Sequence, residues 1–314
     1  VFSWLQGHHQ QFKENEMNAT ARLKDTPSDV QAPERGEYAQ LKTFYDSKYK
    51  TGWFAMKGSP RPCFTPTLLK NISSYFAHVR QEMLQTQGQQ YDYLVLSSDI
   101  DGVFNLGGDL DLFSGLIKNK DADGLLNYAV SCIDVLYANM VHLNTELTTI
   151  ALVKGDALGG GFEAALSSNV LIAEKGTKLG LPEVLFNLFP GMGAYSLLSR
   201  KIGTAQAEKM ILSGHLYSAE ELHELGVVDV LAEKGDGELA VYRYIQKASK
   251  AHNSHQALRR VRDLCNPVSY DELLDITKVW VESALKLQSR DLRMMERLVQ
   301  RQSQRSEQAV AVNV

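Results

Sequence analysis

Three short, almost unbroken apolar runs constrain this chain more than anything else in it: Tyr93-Leu94-Val95-Leu96-Ser97-Ser98, Thr148-Thr149-Ile150-Ala151-Leu152-Val153 and Val170-Leu171-Ile172-Ala173. They are strand-length, and their lack of polar alternation requires both faces to be covered. Helical periodicity separates them, over Leu125–Asn144 and Phe162–Ser168. That order implies βαβ crossovers and a mostly parallel sheet, an α/β fold. Upstream, Glu37–Lys57 alternates aromatic and polar residues around Ser47–Thr51, which predicts a leading hairpin, and Thr67–Gln85 predicts an amphipathic helix. After Thr204 strand signals nearly vanish except at Val227–Leu231, while helical spacing continues through Gly237–Ser249, Ser254–Leu264 and Tyr270–Arg301. We read residues 1–35, polar and broken by Pro27 and Pro33, as an N-terminal arm, 36–251 as the α/β core and 252–314 as a C-terminal helical region. No internal repeat of fixed period is visible.

Composition narrows the partners. Lys and Arg (33) nearly balance Asp and Glu (37), for a formal charge of -4 without blocks of like charge, so nucleic acid is not an expected partner. No apolar run reaches the roughly 18 to 20 residues of a membrane span, and the start VFSWLQGHHQQFKENE lacks a signal-peptide pattern. The 3 cysteines show no C-x-x-C spacing, which fits a reducing, cytoplasmic setting. The 8 histidines form neither H-x-x-x-H nor H-E-x-x-H, so neither a metal site nor a cofactor is called for.

Chemistry concentrates in Lys154-Gly155-Asp156-Ala157-Leu158-Gly159-Gly160-Gly161-Phe162-Glu163, where a strand enters a glycine-rich turn that opens a helix. Glycines there let a ligand approach backbone N–H groups that no side chain shields. A second glycine pair, in Phe104-Asn105-Leu106-Gly107-Gly108-Asp109-Leu110, also follows a buried strand. Amides from two such loops can converge on one oxygen, the arrangement of an oxyanion hole. A third element, Gly180-Leu181-Pro182-Glu183, supplies a carboxylate among apolar residues. Glu163 and Glu183 facing one apolar pocket would be raised in pKa and suited to acid–base work near neutrality. Singly, each feature has a plain explanation: a helix-dipole partner, a solvated acid, glycines for packing. Their combination favours a site. There is no Gly-Lys-Ser/Thr loop, no strand ends directly before Gly191-Met192-Gly193, and no G-x-S-x-G elbow occurs, so nucleotide and serine-hydrolase readings fall away.

The block KGDALGGGFEAALSSNVLIAEKGTKLGLPEV, with FNLGGDLDLF before it, resembles the crotonase (enoyl-CoA hydratase/isomerase) superfamily. The resemblance implies a ββα spiral core with a C-terminal helical region. It places the oxyanion amides on Gly108 and Gly160 and the catalytic acids on Glu163 and Glu183. Within the superfamily, the polar arm, FNLGGDLDLF, LPEVLFNLFPGMGAYSLLSR and VSYDELLDITKVWVESALKL are similar to bacterial diffusible-signal-factor synthases of the RpfF type. That likeness implies dehydration of a 3-hydroxyacyl thioester on acyl carrier protein, or on CoA, followed by thioester cleavage to a free cis-2-unsaturated fatty acid used in quorum sensing. It places Trp280 and Leu298 in the lining of the acyl pocket and Gly107 beside its entrance, as substrate-binding residues, and implies a trimer and a sensor protein as partner. The alternatives are a plain enoyl-CoA hydratase or isomerase, and a crotonase-fold protein acting mainly by binding a regulator.

Overall fold

The computed structural model describes residues 38–298 and residue 300, so the arm 1–35 and the end of the tail lie outside the described residues. The expected hairpin is β1 (Leu41–Asp46) and β2 (Thr51–Met56), paired antiparallel with Phe44 opposite Trp53. Helix α1 (Pro66–Gln85) follows. Thr65 caps it by accepting the Leu68 N–H at 3.1 Å, and Pro66 occupies a first-turn position that needs no N–H. The chain then runs through β3 (Tyr93–Ser98), β4 (Val103–Asn105), α2 (Leu110–Lys118) and α3 (Ala122–Met140). Next come β5 (Thr148–Val153), β6 (Asp156–Leu158) and α4 (Gly160–Leu166), then β7 (Val170–Glu174), β8 (Lys178–Gly180) and a 3-10 turn at Pro182–Phe186. The remainder is α5 (Ala194–Ile202), α6 (Thr204–Ser213), β9 (Leu216–Ser218), α7 (Ala219–Glu224), β10 (Val230–Ala232), α8 (Gly237–Ser249), α9 (His252–Cys265) and α10 (Tyr270–Ala284).

Two sheets result. The larger has the order β1-β2-β3-β5-β7-β10, parallel except at the leading hairpin, and the smaller has the order β4-β6-β8-β9. Three successive passes, β3-β4, β5-β6 and β7-β8, each lay one strand in the large sheet and a three-residue strand in the small one before the next helical element, a ββα spiral. The covering of both faces is visible in β3: Leu94 and Leu96 join the core beneath α1, while Tyr93 and Val95 pack with Val241 and Ile245 of α8.

Three expectations need correction. The strands β4, β6, β8 and β9 do not show in the sequence pattern, because three residues cannot display a period. Helix α2 was also missed; it is a separate element capped by Asp109, which accepts the Leu112 N–H at 3.2 Å. The helical stretch expected over Tyr270–Arg301 stops at Ala284 and resumes at 289, where Asp291 accepts the Gln288 N–H at 3.0 Å and starts a new helical segment.

Candidate active site

The small sheet positions the site. Its three parallel strands β4, β6 and β8 release, side by side at their carboxyl ends, the Leu106-Gly107-Gly108 loop, the Gly159-Gly160 turn and the Pro182-Glu183 turn. The glycine loops therefore leave the small sheet rather than the long buried strands from which the sequence suggested they came.

Each oxyanion candidate has its direction set by the carbonyl of its own peptide. Gly107 C=O accepts the Phe64 N–H at 2.8 Å. Because a trans peptide is planar, with C=O and N–H opposed, that bond turns the Gly108 N–H away from Phe64. Gly159 C=O accepts the Phe162 and Glu163 N–H groups at 2.9 and 3.0 Å as α4 begins, so the Gly160 N–H points out of the helix N-terminus. No acceptor among the described residues takes either N–H. The two donors are close neighbours: a Cβ on Gly160 would lie 3.6 Å from the Gly108 nitrogen. Gly107 has φ +95°, and a Cβ there would come 2.9 Å from Leu158 O and 3.2 Å from the Gly160 nitrogen, so side-chain-free backbone is needed on both counts.

Glu163 sits in the first turn of α4 and is buried, yet its side chain serves another helix. Its Oε1 accepts the Met192 N–H at 2.8 Å and the Ala194 N–H at 2.9 Å, where α5 starts. Burial pushes its pKa up, and those two N–H bonds oppose the rise. Glu183 lies across the turn at Gly159, whose φ of +52° and missing Cβ admit it; a Cβ there would stand 2.5 Å from Glu183 Oε1. Its Oε2 is shut from solvent with no hydrogen-bond partner. Burial raises the Glu183 pKa, and the neighbouring Glu163 charge raises it further. The two acids thus differ in surroundings: Glu163 is held by two N–H groups from the start of another helix, while Glu183 feels the charge of Glu163 and keeps one oxygen unpartnered.

All seven residues singled out from the sequence, Gly107, Gly108, Gly160, Glu163, Glu183, Trp280 and Leu298, line one cavity of about 260 Å³. Its walls are otherwise apolar, with Phe113, Phe186, Leu188 and Met192 among them. Trp280 of α10 packs at a tilt against Phe113 with ring centroids 5.0 Å apart, and it fits only because Gly191 has no side chain; a Cβ there would lie 2.4 Å from Trp280 Cγ. The polar core of the site and an apolar recess thus share one space. Among the described residues no group of three or more His, Cys, Asp or Glu is placed to hold a metal ion.

The sequence profile described as Enoyl-CoA hydratase/isomerase matches residues 61–266. The chain belongs to the enoyl-CoA hydratase/isomerase family. A probable enoyl-CoA hydratase of Bacillus subtilis (strain 168) is 32% identical over 188 residues, 60% of this chain and 67% of that protein. The peroxisomal fatty acid beta-oxidation multifunctional protein AIM1 of Arabidopsis thaliana is 35% identical over 135 residues, 43% of this chain, and the match spans only 18% of the Arabidopsis protein. Among solved structures, enoyl-CoA hydratase from Bacillus halodurans shares the fold with a TM-score of 0.68 at 19% identity, over 83% of this chain and 99% of that one. Pseudomonas aeruginosa DspI gives 0.60 at 19% identity, over 78% and 95%.

Within this family member, the sequence reading missed the turn that anchors Glu163. Gly191-Met192-Gly193 was weighed as a nucleotide fingerprint and set aside; its backbone instead cradles a carboxylate at the start of α5. A glycine pair directly before a helix was the available signal. Phe113 and Tyr128 were also missed, because each looks like ordinary helix core.

Proposed function

We propose that the protein dehydrates a 3-hydroxyacyl thioester to a cis-2-enoyl thioester and hydrolyses it to the free unsaturated fatty acid, a quorum-sensing signal. The observation that carries this reading is that two unpaired peptide N–H donors and two carboxyl groups line one largely apolar cavity, where burial raises both acids. The thioester oxygen sits between the Gly108 and Gly160 N–H groups, where charge developing on an enolate is stabilised by about 2.7 to 4 kcal/mol per donor. In the hydration direction Glu163 as carboxylate takes a proton from water as its oxygen adds to the β-carbon, and Glu183 as acid protonates the α-carbon. Dehydration runs the same steps backwards, so Glu183 as carboxylate removes the α-proton and Glu163 protonates the departing 3-hydroxyl.

For thioester cleavage the same amides hold the tetrahedral oxyanion while a glutamate deprotonates the attacking water; the C–S bond then breaks as the oxyanion collapses, and that proton passes to the departing thiolate. A covalent route through sulfur is not favoured: burial pushes the Cys63 thiol up to about 12 and raises Cys132, on the cavity wall, well above its usual range. The acyl chain lies along Phe113, Trp280 and Leu298, each methylene contributing about 0.8 kcal/mol on burial. Among the described residues no lysine or arginine lines the cavity. That supports an acyl carrier protein donor over coenzyme A, whose phosphates call for cations. The likeness to signal synthases also points to a homotrimer and a sensor partner; light scattering and co-purification with candidate sensors test both.

The second reading, a plain enoyl-CoA hydratase, is favoured by the family match to residues 61–266. One assay separates them. Purified protein is given 3-hydroxydodecanoyl-carrier protein and, separately, crotonyl-CoA, with products followed by mass spectrometry. Free cis-2-dodecenoic acid supports the synthase; reversible hydration of crotonyl-CoA without acid release selects the hydratase and rejects the synthase.

A further inference from the structure

A buried phenol stands behind the oxyanion loop. Tyr128, on α3, donates its hydroxyl hydrogen to Phe64 C=O and accepts the Asp109 N–H at 3.0 Å. Those two partners flank the peptide that matters. Phe64 is the residue whose N–H fixes Gly107 C=O, at 2.8 Å, and Asp109 directly follows Gly108. One hydroxyl therefore ties together both strands of the short parallel bridge between Phe64 and Gly108. We propose that Tyr128 is a positioning residue for catalysis: its hydroxyl holds the Gly107–Gly108 peptide so that the Gly108 N–H stays aimed at the substrate carbonyl.

Three observations support this role over mere packing. The ring is already fixed, edge-on to Phe113 with centroids 5.0 Å apart, and Phe113 in turn lies where a Cβ on Gly108 would meet it at 2.8 Å. Burial keeps the phenol protonated across the working range, so it donates and accepts at once. The segment after the loop has a separate tether, because Arg61 Nη2 pairs with Asp109 Oδ1 at 2.8 Å, so removing the hydroxyl loosens the peptide without releasing the loop. Tolerance for error is small: an N–H donor acts only when it lies about 2.7 to 3.1 Å from the forming oxyanion.

The proposal rests on Gly108 being an oxyanion donor, and the test separates the two claims. Tyr128→Phe keeps the ring and removes one oxygen. We expect kcat to fall about 10- to 100-fold with KM within about 3-fold and both limbs of the pH profile unmoved, because the lost contact acts in the transition state and the glutamates are untouched. The second readout needs no turnover. In a chain carrying Glu163→Gln and Glu183→Gln, dodecanoyl-CoA labelled with carbon-13 at the thioester carbonyl is bound and its infrared stretch recorded; the hydroxyl-bearing protein should lower the stretch and Tyr128→Phe should lose part of that shift. If the hydroxyl-bearing protein binds the thioester without any shift, the oxyanion reading itself fails. A full shift and unchanged kcat in Tyr128→Phe overturn the role of Tyr128 alone. If that variant does not fold, 3-fluorotyrosine at 128 keeps the shape and strengthens the donor; an unaltered stretch then overturns the proposal, and a graded change in stretch and kcat supports it.

Discussion

At the residue scale the two acids differ in what surrounds them, and that difference is measurable. Glu163→Gln and Glu183→Gln should each lower turnover by about 10²- to 10⁴-fold while circular dichroism stays unchanged. Retained turnover in both variants would remove the pair from the mechanism. The pH profile of kcat/KM should show its limbs above the ordinary glutamate value of about 4.3, because burial raises both groups. The stability consequence has a definite sign. A carboxyl whose folded pKa is raised binds more protons folded than unfolded between the ordinary and raised values, so stability falls as pH rises through that window. Glu183→Gln should therefore melt higher than the parent chain in alkaline buffer and show little gain at acid pH; scanning calorimetry at two pH values checks it. Gly107→Ala should lose both activity and about 1 to 3 kcal/mol of stability, since it forces a left-handed residue against Leu158 O. These residues were legible in the sequence as types and spacings, GGGFE and GLPE, but not as partners. That Glu163 would be held by backbone more than 25 residues downstream, at Met192 and Ala194, is a tertiary fact that no local pattern carries.

At the scale of elements, the site depends on strands too short to be seen and on helices that are easy to see. The long buried runs that announced β3, β5 and β7 do so because both faces are covered, as the packing against α1 and α8 shows. The three-residue strands that aim the loops are stabilised by their neighbours rather than by propensity, so only the fold reveals them. Helix α10 closes the recess, and its fit is tight. Gly191→Ala should push Trp280 outward, lower the melting temperature and weaken acyl binding, because a Cβ there would stand 2.4 Å from the indole. Trp280→Ala should act in the opposite way on selectivity, extending the recess so that longer acyl chains gain in kcat/KM relative to short ones. An unchanged chain-length profile would separate Trp280 from the acyl recess. From sequence, Trp280 was one apolar position in a helical series, and only the resemblance to a family distinguished it.

At the scale of the whole molecule, the amino-terminal ends of the interior strands β5 and β7 carry a polar core of their own. Buried His142 meets Asn169 through Nε2 at 2.6 Å, and Arg259 of α9 reaches across to Leu147 C=O at 2.9 Å and Glu146 C=O at 2.8 Å. Burial, with the charges of Arg259 and Arg262, lowers the His142 pKa to about 3. The unfolded chain binds a proton there near pH 6.5 and the folded one does not, so this part of the stability is complete above that value and drains away as pH falls toward 3. We expect a melting temperature that drops between those limits, and His142→Gln, an isosteric neutral amide, should flatten the drop. Neither the histidine nor the arginine stood out in the sequence, since each is a lone polar residue until the fold surrounds it. The division of labour at the other end has a wider result. In the proposed mechanism Gly108 and Gly160 polarise the carbonyl through main-chain N–H groups, which among the coded residues only proline removes, whereas most substitutions of either glutamate remove its carboxyl. On that mechanism the scaffold can lose one reaction and acquire another while it goes on gripping activated acyl groups, which would make the carbonyl clamp the heritable part and the chemistry the replaceable one.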